Sequence, residues 1–123
     1  MRKLGVSAIH LESGEQVNLY GDERFPMAST YKIPIAIQLL QRVSQGELQL
    51  NQQIAIEPND LRHGSKIAES FKPPKRSLSI KDLMDTMIIT SDNTASDLLI
   101  EKAGGAKTVT AFLHDRKLTN MRV

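Results

Sequence analysis

Cysteine is absent from the 123 residues. That excludes a disulfide framework, a cysteine-ligated metal and a thiol nucleophile, and it leaves the redox compartment open. Tryptophan is absent too, and only three Phe and two Tyr are present, so the core must be built from Ile, Leu, Val, Met and Ala. No apolar run is long enough to span a bilayer. Met1-Arg2-Lys3 has the charge of an export-signal start, but no apolar stretch follows it, so no signal peptide is expected. Nor is there a dense Lys/Arg stripe interleaved with aromatics, which argues against nucleic acid as a partner. The basic cluster Lys72-Pro73-Pro74-Lys75-Arg76 is broken by proline and reads as a solvated loop.

What remains is ordinary for one small globular domain: 40% hydrophobic and 24% charged residues, with a net charge of +2. The chain opens on a β-hairpin over residues 5–20. Gly5 to Leu11 alternates, Ser13-Gly14 turns, and Gln16 to Tyr20 returns. From Ser29 to about Gln45 the apolar residues Ile33, Ile35, Ile37, Leu39, Leu40 and Val43 fall on nearly every side of a helix, the pattern of a buried one. Pro34 lies close enough to the start to be tolerated, and Gly46 supplies the stop. Residues 47–78 read as irregular, with Pro58, Gly64, Pro73 and Pro74 as breakers.

A helical part covers residues 79–116. Ser79, with Asp82 three residues on, opens a helix in a capping-box-like arrangement. Its apolar face is Ile80, Leu83, Met84, Met87 and Ile88. It breaks at Thr90-Ser91-Asp92-Asn93. The next helix turns Ala95, Leu98, Leu99 and Ala103 inward and ends at Gly104-Gly105. A last helix buries Val109, Phe112 and Leu113. This inventory leaves one two-stranded hairpin with unpaired edges, which is marginal alone. With the abrupt finish at Met121-Arg122-Val123, the chain reads as a partial domain.

Two short runs carry chemistry. In Ser29-Thr30-Tyr31-Lys32 the serine and lysine share a helix face one turn apart. A serine hydroxyl is a weak nucleophile until a base takes its proton. Burial and the positive end of a helix both disfavour a lysine's ammonium form, so Lys32 can be that base. Free N–H groups at the same helix start can hold a developing oxyanion. The bland alternative is a cap serine with an incidental lysine. The second run, Ser91-Asp92-Asn93, lies between two helices, where such residues are common caps and turns. The histidines His10, His63 and His114 lack metal-ligand spacing, and Glu12 and Glu15 flank a turn as solvated groups. No metal site and no cofactor is expected.

Together, Met27-Ala28-Ser29-Thr30-Tyr31-Lys32 and Ser91-Asp92-Asn93 resemble the motif set of the class A serine β-lactamases, within the penicillin-recognising enzyme superfamily. The resemblance covers nearly the whole chain. It implies an α+β fold of the β-lactamase/D,D-peptidase type, here an N-terminal portion of it. It also implies that Ser29 is acylated by a β-lactam, that Lys32 accepts or relays the proton, and that Ser91 passes one to the departing nitrogen. Asn93 would hold the substrate's acyl-amide and help place Lys32. Asp92 would be structural, and the Ser29 N–H would form half of an oxyanion hole. A periplasmic or secreted location goes with it.

The chain departs from the family pattern in several places. Arg62, His63 or Gly64 stands where the family has an aromatic gatepost. A deacylating glutamate loop and a Lys-Thr-Gly strand have no counterpart, since Lys107-Thr108-Val109 lacks the glycine and reads as helix. Lys117 stands where many relatives end a helix with glycine. Two alternatives remain open: a D,D-peptidase using the same residues, or a non-catalytic fragment that folds by self-association or by pairing with a complementary chain.

Overall fold

The computed structural model describes residues 3–73 and 76–123, so two members of the basic cluster, Pro74 and Lys75, lie outside the described residues. Strands β1 (Val6–Ile9) and β2 (Gln16–Leu19) form the opening antiparallel hairpin, with Ala8 facing Val17. Gly14 takes φ +73° at its turn, a left-handed conformation that glycine adopts without strain. Every residue of both strands is exposed.

A single 3-10 turn, Ala28–Tyr31, leads directly into α1 (Lys32–Ser44). Ser29 therefore sits within this tight entrance turn, just ahead of the α-helix. The expectation of a helix buried all round is overturned. Pro34, Ile35 and Leu39 are buried, whereas Ile33, Ile37 and Leu40 are about half exposed. The helix packs against the last three helices of the chain, Ile80–Thr90, Asn93–Lys102 and Ala106–Asp115. Those contacts cover one side, and periodicity cannot say how many sides find a partner.

The segment expected to be irregular holds a second sheet. β3 (Gln53–Ile56) pairs antiparallel with β4 (Arg76–Ser79), Ile54 opposite Leu78. Between them lie a 3-10 turn, Pro58–Asp60, and the one-turn α2, Lys66–Glu69. Gln53-Ile54-Ala55-Ile56 alternates with period two, and Ile54 and Ile56 are the buried pair. Two residues of contrast are too short a signal to stand out against four breakers.

The helices α3 (Ile80–Thr90), α4 (Asn93–Lys102) and α5 (Ala106–Asp115) follow. Ser79 caps α3, its hydroxyl accepting from the Asp82 N–H at 3.0 Å. Ile80, Leu83 and Met87 are buried, while Ile88, expected on the same face, is half exposed. Ala95 and Leu99 of α4 and its C-cap Ala103 are fully buried, and Val109, Phe112 and Leu113 of α5 lie inward. Among the described residues the buried core is thus aliphatic apart from Met87 and Phe112, and it locks the start of α1 against the α3–α4 corner.

Candidate active site

The α3–α4 corner is a two-residue turn, Ser91-Asp92. Ser91 sits at φ 56°, ψ 36°, the left-handed region. For a residue with a Cβ this costs roughly 1–2 kcal/mol. Strain of this kind persists where neighbours over-determine the backbone, and it gathers at functional sites. Here it turns both oxygens of Ser91 toward one amine. Lys32 Nζ donates to the Ser91 carbonyl at 2.5 Å, to Ser91 Oγ at 3.0 Å and to Asn93 Oδ1 at 3.0 Å. Three acceptors match the three protons of an ammonium.

Lys32 is 2% exposed. Burial pushes its pKa below the ordinary lysine value, against the opposing pull of the Asp92 and Asp97 carboxylates. No carboxylate is among the three acceptors, so the amine has hydrogen bonds without a direct ion pair. Such a group can give up its charge.

The link from Lys32 to Ser29 runs through Ser91. Ser91 Oγ donates to Ser29 Oγ at 2.9 Å. Ser29 is exposed, so a reagent can reach it. Beside it an open apolar groove of about 330 Å³ is lined by Ile33, Met87 and Ile88 together with Ser29, Lys32 and Ser91. A roomier depression between Gly21–Met27 and Asn120–Arg122 contains no serine, lysine or histidine. Chemistry therefore points to the smaller groove.

Asp92 lies under the corner, 1% exposed. Its carboxylate accepts from Ser65 Oγ at 2.9 Å, from the Ile67 N–H at 3.2 Å and from the Ala95 N–H at 2.9 Å, the last being the cap of α4. One buried side chain thus ties the segment before α2 to the corner that holds Ser91. Asn93 uses both ends of its amide: Oδ1 accepts from Lys32, and Nδ2 donates to the His63 carbonyl at 3.4 Å.

Ser29, Lys32, Ser91 and Asn93 thus converge, with Asp92 beneath them. Ser65 and the His63 carbonyl are further members that the sequence alone did not single out. Ser65 could have been suspected as a buried helix cap, since its hydroxyl also accepts from the Ala68 N–H at 3.1 Å. A backbone carbonyl leaves no sequence signal at all. Gly64, at the gatepost position expected from the resemblance, has φ +70°, and a methyl group on its Cα would meet none of the described residues within 4 Å.

The match to known proteins fits this arrangement: the family model of the β-lactamase enzyme family covers residues 1–123. The chain belongs to that β-lactamase family. Among curated relatives, β-lactamase VEB-1 of Pseudomonas aeruginosa is 31% identical over 98% of this chain and 41% of its own length. Among solved structures, an ancestral class A β-lactamase is 36% identical at TM-score 0.89, over 98% of this chain and 46% of that one. PBP-A is 28% identical at TM-score 0.86, over 97% of this chain and 44% of that one. The fold is thus the α+β fold of class A β-lactamases, and the chain spans about two fifths of the length of the curated relative VEB-1.

Proposed function

We propose that the chain carries the acylating part of a serine β-lactamase site, with Ser29 as nucleophile, Lys32 and Ser91 as the proton path, and a β-lactam as substrate. The observation that carries this reading is the unbroken hydrogen-bond chain from Ser29 Oγ through Ser91 Oγ to Lys32 Nζ. When Lys32 is neutral, the chain runs in reverse. The Ser29 proton moves to Ser91 Oγ as the Ser91 proton moves to Lys32, and Ser29 Oγ attacks the lactam carbonyl carbon. The C–N bond then breaks. Ser91 gives its proton to the departing nitrogen and is reprotonated by Lys32, which ends neutral as it began. The product is an acyl-serine that keeps every atom of the lactam. Asn93, held between Lys32 and His63, offers its amide to the substrate's side chain, and Asp92 serves as the structural clasp.

By this reading these residues supply the groups for the acylation step. Intact-mass spectrometry after incubation with benzylpenicillin tests it. The expected result is an adduct of the full mass of the drug, absent in Ser29→Ala. Absence of the adduct in the wild-type chain, or its survival in Ser29→Ala, would overturn the reading.

A D,D-peptidase role is a second reading, favoured by the likeness to PBP-A and by the lack of an aromatic residue at Arg62, His63 and Gly64. Cleavage of an acyl-D-alanyl-D-alanine peptide faster than penicillin reacts would select it. A third observation bears on assembly. Ile33, Ile37 and Leu40 of α1, with Ile88 and Ile89 of α3, expose large apolar side chains. Such surface favours association, with a complementary chain or with a second copy. Light scattering that finds a stable monomer with a cooperative melt would count against it. We assign the protein to the periplasm or the extracellular medium by family. No helix among the described residues is long and apolar enough to cross a membrane.

A further inference from the structure

Outside the nucleophile cluster, the loop that carries His63 is held to α4 through Arg62, by both its backbone and its side chain. The Arg62 N–H donates to Thr94 Oγ1 at 2.9 Å, and Thr94 is fully buried. The Arg62 guanidinium spreads in two directions. Nε donates to Asp97 Oδ2 on α4 at 2.6 Å, and an Nη donates back to the Asn59 and Leu61 carbonyls at 2.8 and 3.4 Å. One planar fork therefore joins the helix to two points of the loop. The next residue is His63, whose carbonyl receives Asn93 Nδ2.

An amide has two similar ends, and only its partners decide which way round it sits. With Nδ2 engaged by His63, Oδ1 must face Lys32, where it serves as one of the three acceptors of the amine. Were the carbonyl displaced, Asn93 would lose the partner that holds its Nδ2 and could swing away from Lys32. Water would then reach the amine, and relief of the desolvation that dominates its shift outweighs the lost acceptor, so its pKa would rise.

We propose that Arg62 is a positioning residue for this site: by pinning the His63 carbonyl against α4 it fixes the orientation of Asn93 and thereby the burial of Lys32. The assignment concerns the same site as the proposed acylation and rests on that reading for its consequence, though not for its geometry. The carboxylates acting on Lys32 are Asp92 and Asp97, both at α4. Asp92 is occupied by Ser65, Ile67 and Ala95, and Asp97 by Arg62 itself. From the end of α3 the amine meets the uncharged Ser91, and its own helix entrance places the Tyr31 ring centroid 5.8 Å from Nζ.

The test is an NMR titration of the Lys32 side chain in the full chain, with the rate of benzylpenicillin acylation followed against pH in parallel. In Arg62→Gln the Lys32 titration should move up toward the ordinary value of 10.5, and the acylation profile should move up with it. Arg62→Lys keeps the charge beside Asp97 but not the fork, and should fall between the two. Because freeing Asp97 alone would also raise the value, and removing it alone lowers it, the double variant Arg62→Gln/Asp97→Asn is compared with Asp97→Asn. An upward shift of the double variant relative to Asp97→Asn supports positioning. A double variant that titrates with Asp97→Asn, or an unchanged Lys32 titration in folded Arg62→Gln, overturns it. If the wild-type chain forms no adduct yet the titration shifts as stated, the acylation reading fails and the role of Arg62 stands.

Discussion

Replacing Asp92 by Ala tests the clasp beneath the site, and its size follows from what the carboxylate holds. Asp92 is the N-cap of α4 through Ala95, and losing such a cap costs about 1 kcal/mol. The Ile67 N–H and the Ser65 hydroxyl would lose their buried partner as well. Each buried donor left unsatisfied costs roughly 1–3 kcal/mol, though Ser65 Oγ can rotate and limit its share. The expected loss is therefore about 3–5 kcal/mol, a large part of the ~5–15 kcal/mol that holds a domain together. Asp92→Asn should lose about half as much. Its Oδ1 still caps Ala95 and still accepts from the Ser65 hydroxyl, but its NH₂ would face the Ile67 N–H, donor against donor. Denaturant unfolding followed by circular dichroism gives both numbers. A loss under about 1 kcal/mol for Asp92→Ala would refute the clasp, because at least two of the three bonds would then contribute nothing.

Three further outcomes are expected. Ser91→Ala breaks the hydrogen-bonded link between Ser29 and Lys32, and should slow acylation about 10²–10⁴-fold by the usual worth of a positioned proton-transfer group; stopped-flow or quenched mass spectrometry reads it. Acylation should rise with pH through the lowered Lys32 pKa, since the neutral amine is the base, and stability should rise in the window from that value up to 10.5, where the unfolded chain binds the extra proton; a flat rate profile would refute the assignment. Lys117 sits at φ 64°, so Lys117→Gly should raise stability by about 0.5–1 kcal/mol in thermal melts, the relief of left-handed strain less the entropy of glycine.

Local rules of the chain determined the hairpin, the cap at Ser79, the glycine stops after α1 and α4, and the spacing that sets Ser29 one turn before Lys32. All of these depend on a few neighbouring residues, so a single sequence contains them. Lys117 belongs with them in part: resemblance marked it as a position where many relatives carry a helix-ending glycine, and its φ of 64° lies in the left-handed region that glycine favours. The pairing of β3 with β4 lay beyond that reach, because its partners are separated by the whole α2 segment and their alternation is short. So did the exposure of Ile33, Ile37 and Leu40, since a helix pattern names apolar residues but not the surfaces that meet them. The site divides in the same way. The two motifs were legible as residue types, but only tertiary packing turned Ser91 into a left-handed corner, put its hydroxyl between Ser29 and Lys32, and recruited Ser65, Arg62 and the His63 carbonyl. Those contacts cross from about 25 to 62 residues of chain, and a hydrogen bond at that separation is decided by the packing of the core, which no local pattern encodes.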